Sequence, residues 1–160
     1  MGEIKAKGSV TIDRPISEVF AYVEDPHNQH NWQPNLQEVR VSGQSITEVR
    51  KQLGRRVEHQ IEVVDRQENK KLSHRGAASS HEGAMERHMT FEEADSGKTK
   101  VSLEVDVDMR GKLGPAAQMA QRAIQRDITG NLEHLKDLLE ADESHRRAMD
   151  ASGLKEHSQR

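Results

Sequence analysis

Three side chains on strand-like segments place proton-transfer and anion-binding chemistry on one face. His59 shares its parity with Val57, Ile61 and Val63 in RRVEHQIEVVD, His74 shares its parity with Leu72 in KLSHRG, and Arg87 lies with Met85, Met89 and Phe91 in MERHMTF. Alternate residues of a strand face the same side, so two imidazoles and a guanidinium are expected to point into an aliphatic and methionine-lined interior. A turn centred on Gln67-Glu68 would place Ile61 opposite His74, leaving His59 and His74 as diagonal neighbours about 7–8 Å apart. A neutral imidazole can move a proton at an activated carbon, and a guanidinium can anchor a carbonyl or carboxylate. His59, His74 and Arg87 are therefore the candidate acid, base and oxyanion partner, or ligand contacts without catalysis. Two plainer alternatives stay open: partly hydrated groups at the wide end of a small barrel, or a one-residue slip that turns all of them outward.

Other chemistries find less support. His27 and His30 have the i, i+3 spacing of a helical ligand pair, but no HExxH, cysteine or third ligand accompanies them, so they read as loop histidines and no metal is expected. His81 and His88, seven apart on a strand, fall on opposite faces. The glycines of GKLG lack both phosphate-loop spacings and no serine sits in a GxSxG elbow, so neither a nucleotide site nor a hydrolase triad follows, and no cofactor is expected. Glu104, Asp106 and Asp108 on one strand face read as a solvated exterior.

The 160 residues suit a single domain. Only 32% are hydrophobic, with two Phe, one Tyr and one Trp, so the core is expected to be lean. Twenty-four basic residues nearly balance 27 acidic ones. That argues against disorder, and with no basic block interleaved with aromatics it argues against nucleic-acid binding. With no cysteine there is no disulfide framework or thiol nucleophile. MGEIKAKGSVTI lacks the apolar core of a signal peptide, no run is long enough to span a bilayer, and Ala6 breaks the myristoylation pattern. The expectation is a cytoplasmic chain without integral membrane contact.

The elements that must position the three polar residues can be read along the chain. Ile4, Ala6, Gly8, Val10 and Ile12 alternate with polar residues as in a half-buried strand. Asp13 as a cap, Pro15 in a first turn, and Ile16, Val19, Phe20 and Val23 at helical spacing predict a short helix ending before Pro26, with Tyr22 off its apolar stripe. Strands are expected over about 36–42, 46–53, 56–66, 70–77, 82–93 and 98–109. The clearest carries Val101, Leu103, Val105, Val107 and Met109 on one face. A three-residue loop at Asp95-Ser96-Gly97 pairs Phe91 with Val101, Met89 with Leu103 and Arg87 with Val105. From Gly114-Pro115, Ile124, Ile128, Leu132, Leu135 and Leu139 predict a helix of roughly 25 residues, enough to cross a sheet. Gly130 interrupts it. Ala116, Ala117, Ala120 and Ala123 at its start either leave space or allow close packing. Residues 141–160 read as frayed helix followed by disorder, which leaves 1–140 as the domain.

One strand, helical segments, six more antiparallel strands and a long amphipathic helix make an α+β domain that must cover one apolar sheet face with that helix. Over about residues 4 to 140 the chain resembles the START-like, or SRPBCC, helix-grip superfamily, and within it the bacterial polyketide cyclase/dehydrase group. The resemblance rests on TIDRPISEVFAYVEDPHNQHNW, LGRRVEHQIEVVD, HMTFEEADSGKTKVSLEVDVDMRG and LGPAAQMAQRAIQRDITGNLEHLKDLLE. It implies a curved seven-stranded antiparallel sheet wrapped around the C-terminal helix, two short helices after the first strand, and a cavity between sheet and helix. Family members often carry an aromatic residue where His74 stands. The implied ligand wall comprises Phe20, Trp32, Ile61, Leu72, Met85, Met89, Phe91, Leu103, Val105, Ala120 and Ile124, although Phe20 and Trp32 equally suit an ordinary core. The implied function is binding of a small hydrophobic molecule, polyketide-, lipid- or quinone-like, by a monomer or homodimer. Two alternatives stand beside it: a cyclase or dehydratase working by histidine acid/base chemistry, and a protein-interaction module with a vestigial cavity.

Overall fold

The computed structural model describes residues 3–52, 54–77, 83–108 and 114–152. His81, Met109, the expected strand ends at 53, 82 and 109, and tail residues 153–160 lie outside the described residues. Strand β1 (Glu3–Ile12) is followed by α1 (Ile16–Glu24), a single 3-10 turn (Pro26–Asn28) and α2 (Gln29–Trp32). The strands β2 (Leu36–Ser42), β3 (Ser45–Gln52), β4 (Arg55–Gln67), β5 (Lys71–Gly76), β6 (Met85–Glu93) and β7 (Thr99–Asp108) come next, and α3 (Pro115–Ser152) closes the order. All seven strands form one sheet in the order β1-β7-β6-β5-β4-β3-β2, with every neighbouring pair antiparallel. Consecutive strands β1 and β2 thus lie at opposite edges, and α1 and α2 connect them.

The hydrophobic pattern accounts for the core. Ile12, Val19, Phe20, Val23, Trp32, Leu72, Met89, Phe91, Val101 and Leu103 pack with Ile128, Leu132, Leu135 and Leu139 of α3 in one cluster. Phe20 meets Phe91 edge to face with ring centroids 5.0 Å apart, a favoured arrangement of their quadrupoles. Tyr22, although off the α1 stripe, packs partly buried against the same cluster. Gly8 makes the close approach of α3 to β1 feasible. A Cβ there would lie 3.0 Å from Ile128 Cγ2 and 3.5 Å from Leu132 Cδ1.

Helix α3 also runs along the otherwise unpaired edge of β1. Gln121 Nε2 donates to Lys5 O (2.9 Å), Gln125 Nε2 to Lys7 O (2.7 Å) and Lys136 Nζ to Thr11 O (3.1 Å), while Gln125 Oε1 accepts from Lys7 N (3.3 Å). Glu140 Oε2 accepts from Asp13 N at 2.8 Å. An exposed strand edge invites pairing with another chain; here side chains projecting from one face of α3 satisfy it.

Several expectations need correction. Asp13 does not cap α1: Pro15 occupies the N-cap position with extended backbone and no side-chain cap bond. Asp25 does cap, accepting from His27 N at the 3-10 turn. Helix α3 spans 38 residues and runs on to Ser152, past the 25 or so expected. The β6–β7 hairpin has the expected register, Phe91 to Val101, Met89 to Leu103 and Arg87 to Val105, with Gly97 at φ 78°. The β4–β5 hairpin does not. Its turn closes from Lys70 N to Gln67 O (2.9 Å) with Asn69 at φ 62°, and the register shifts again between Val63 and Asp65. Measured from the expected turn, the loop shifts the pairing by three residues, so that Arg66 faces Leu72 instead of Asn69, and the bulge takes one back. Ile61 therefore faces Gly76, and His74 faces Val63. Because the error is two residues, His74 keeps its face, but His59 and His74 lie on opposite sides of the Ile61–Gly76 rung and are not diagonal neighbours.

Candidate functional site

Strands β3, β4 and β6 bring a charged cluster to the concave face. Glu48 is 1% exposed, and two arginines hold it there. Arg50 donates to Glu48 Oε1 from Nε (3.2 Å) and Nη2 (2.8 Å). Arg87 donates from Nη1 to Oε1 (3.3 Å) and from Nη2 to Oε2 (3.0 Å), reaching from β6 to β3 across the two intervening strands. Arg50 Nη1 also reaches Asn35 Oδ1 at 3.5 Å. Burial pushes the Glu48 carboxyl up, but the charges and hydrogen bonds of Arg50 and Arg87 outweigh it and hold the group well below the usual carboxylate range. Glu48 is thus a buried anion held by four charge-assisted guanidinium bonds.

His59 and His74 are both buried beside this cluster, His59 directly opposite Glu48 in the β3–β4 pairing and His74 opposite Arg87 in the β5–β6 pairing. Burial, and then the positive charge of Arg87, push His74 down to about 3, with Glu48 opposing and Arg50 adding to the fall. Its Nδ1 is buried without a hydrogen-bond partner among the described residues. His74 is accordingly a neutral ring at physiological pH.

A cavity of about 110 Å³ opens between this cluster and the first half of α3. Its sheet side is made by Arg50, His59, Met85, Arg87, Leu103, Val105 and Val107, its helix side by Ile124, Asp127, Ile128 and Asn131, and one end by Gln33 and Asn35. Burial raises the Asp127 carboxyl, against the pull of Arg126 and Arg50. Further along α3, Leu132, Leu135 and Leu139 fill the helix–sheet interface. Ala120 is buried on the half of α3 that roofs the cavity.

Of the residues expected at a site, His59, Arg87, Met85, Leu103, Val105 and Ile124 line this cavity. His74 stands beside Arg87 but not on the cavity wall. Phe20, Trp32, Leu72, Met89 and Phe91 belong to the packed core, and Ile61 packs with Ile46 and Met85. Sequence reasoning missed Glu48, Arg50, Asn35, Gln33 and Asp127. For Glu48 and Arg50 a signal existed: both share the parity of Ile46 on β3. On the opposite sheet face Glu86, His88 and Asp106 bring potential metal-ligand atoms within 4.8 Å of one another. Glu86 pairs with Arg75 and His88 bonds Ser73, whereas Asp106 Oδ1 is buried with Lys5 Nζ 3.7 Å away and no hydrogen-bond partner among the described residues.

An open antiparallel sheet gripping one long helix, with short helices closing the end between its edge strands, defines a START-like helix-grip protein. The chain belongs to the polyketide cyclase / dehydrase and lipid transport family, whose model matches residues 3–140. No curated protein matches the sequence. Among solved structures, TTHA0849 from Thermus thermophilus is similar at 14% identity, covering 86% of this chain and 98% of that one with a TM-score of 0.73. A START superfamily protein from Mycobacterium smegmatis is similar at 15% identity, with 86% and 95% covered and a TM-score of 0.67. The di-domain ARO/CYC StfQ from the steffimycin biosynthetic pathway is similar at 10% identity over 89% of this chain and 52% of that one, with a TM-score of 0.70. At such identities the likeness is one of fold. Among the described residues no helix is long and apolar enough to cross a membrane.

Proposed function

We propose that this protein binds a small hydrophobic molecule, a slender polyketide-, lipid- or quinone-like compound, in the cavity under the first half of α3. The observation that carries the reading is the asymmetry of the helix–sheet interface: filled by leucines at Leu132, Leu135 and Leu139, open beside Ile124 and Ile128. An aliphatic wall with a few converging polar groups is the general form of a small-molecule site. The volume is on the scale of the cavity that takes a single benzene ring, so a slender occupant fits and a fused polycycle does not. Family membership points the same way.

Catalysis by a pair of histidines has less support. His59 and His74 are separated by the Ile61–Gly76 rung, and a ring held at about 3 is not an acid near neutrality. Methyl NMR of methionine-labelled protein tests the binding reading. A hydrophobic ligand should shift Met85, which lines the cavity, and leave Met89, in the packed core, nearly unmoved. The same titration on Ile124→Trp, which fills the cavity, should show no saturable shift. Equal shifts at both methionines, or binding unaffected by the tryptophan, would remove the cavity from the function. Native mass spectrometry that finds a protein partner and never a small molecule would favour an interaction module instead.

A further inference from the structure

We propose that the ligand of this cavity is an acid: an amphipathic molecule whose carboxylate is held by Arg50 and Arg87 while its apolar body lies against Leu103, Val105 and Ile124. The inference rests on the binding reading above and adds the chemical class of the head group.

It follows from a count of donors and acceptors. A carboxylate accepts about four hydrogen bonds, and each guanidinium offers five N–H donors. Glu48 receives four bonds from the two arginines, three at Oε1 and one at Oε2. Among the described residues the one further acceptor they reach is Asn35 Oδ1, at a long 3.5 Å. The remaining N–H groups of Arg50 and Arg87 have no partner among the described residues, on side chains that are 8% exposed and line the cavity. No guanidinium nitrogen of either arginine is fully enclosed without a partner among the described residues, so the spare N–H groups open on the cavity. A second carboxylate satisfies them in the forked geometry that arginine favours. Neutral heads do this less well: a hydroxyl brings no charge, and an amide brings donors of its own to a site already rich in them. On α3, Asp127 faces the same space, and burial already disposes its carboxyl towards the protonated form. Among the described residues Asp127 is the one acidic group on the cavity wall that opposes an anionic guest, and it makes the head group separable from the body in an experiment.

Titration calorimetry of the full chain with sodium octanoate, octanamide and octan-1-ol compares one body with three heads, and the Met85 methyl signal reports whether each enters the cavity. Octanoate should bind about tenfold or more tighter than either neutral compound, as a charge-assisted contact predicts. Asp127→Asn, a change on the half-buried helix face, should widen the octanoate-to-octanamide ratio further. If all three enter the cavity with similar affinity, or the neutral heads bind better, the acid assignment is overturned while the hydrophobic cavity stands. If none moves Met85 at saturating concentration, the cavity reading falls and the assignment with it.

Discussion

Arg87 on β6 and Glu48 on β3 meet through hydrogen bonds of 3.0 and 3.3 Å across the two strands that separate them. This tie crosses the concave face beneath the part of α3 that roofs the cavity. Where leucines fill the interface, apolar burial holds sheet and helix together. Where they stop, a desolvated ion cluster ties β3 to β6 and supplies the polar floor of the cavity.

Removing the anion from this cluster strands two buried cations. Glu48→Ala is expected to cost about 3–5 kcal/mol, the usual penalty for breaking a buried pair from one side. Replacing Glu48, Arg50 and Arg87 together by Leu, Met and Met should recover most of that loss, because the desolvation of all three charges disappears with them. Urea unfolding of the three proteins measures both effects. A single-variant loss under about 1 kcal/mol would show that water reaches the cluster.

His74 gives the fold a pH dependence with a definite window. Its folded value lies near 3, below the ordinary histidine value of about 6.5. The unfolded chain therefore takes up a proton that the folded chain refuses. The stability linked to this group is fully present above about pH 6.5 and is lost as pH falls from there towards 3. Glu48, held below the usual carboxylate range, contributes its own loss only below about pH 4.3. A comparison at pH 7 and pH 5 thus separates the histidine from the glutamate. His74→Leu should be at least as stable as the parent at pH 7, since it removes an unpartnered buried Nδ1, and should lose much less stability on moving to pH 5. Urea midpoints at the two pH values give the answer, and a parallel loss in both proteins would assign the effect elsewhere.

How much of this was legible in the sequence depended on local irregularity. The β6–β7 register follows from one glycine: Gly97 in a left-handed conformation closes a three-residue loop, and alternation carries the pairing to Arg87 and Val105. The β4–β5 register was lost to Asn69, a non-glycine at positive φ, and to a bulge beside Val63 that no turn residue announces. Glu48 was missed for a different reason. Its shared parity with Ile46 was a weak signal, because a glutamate within SITEVRKQ also suits a solvated strand face, and its burial depends on Arg50 together with Arg87, 39 residues away. Long-range charge pairing has no periodicity to read. A cavity was implied by the family resemblance, but the alanines early in α3, which suited open space and close packing equally, are not among the lining residues, and the lining draws on Asp127, Gln33 and Asn35, whose types carry no binding signature.

Gly8 is expected to resist enlargement. A Cβ already meets Ile128 Cγ2 at 3.0 Å, and the γ-methyls of valine would have to push α3 away from β1. Gly8→Val should therefore destabilise by about 1–3 kcal/mol, as overpacked cores do, even though valine is the better strand former. Thermal unfolding measures the change; a gain in stability would show that α3 can step back freely.

The edge contacts of α3 predict a local exchange signature that global stability does not reveal. Lys7 N points away from β7 and is held by Gln125 Oε1 at 3.3 Å, while its carbonyl accepts Gln125 Nε2 at 2.7 Å. One glutamine thus satisfies both backbone groups of an edge residue, as a neighbouring strand would. In Gln125→Ala the packing of Ile124 and Ile128 remains, so the fold should lose only about 1 kcal/mol. The Lys7 amide, however, becomes an open edge donor. Its hydrogen exchange should accelerate well beyond that of neighbouring β1 amides bonded to β7, and the freed edge should raise the tendency to associate at high concentration. Residue-resolved exchange by NMR decides this. If Lys7 is as slow in the variant as in the parent, the backbone of β1 is protected by something other than the helix beside it.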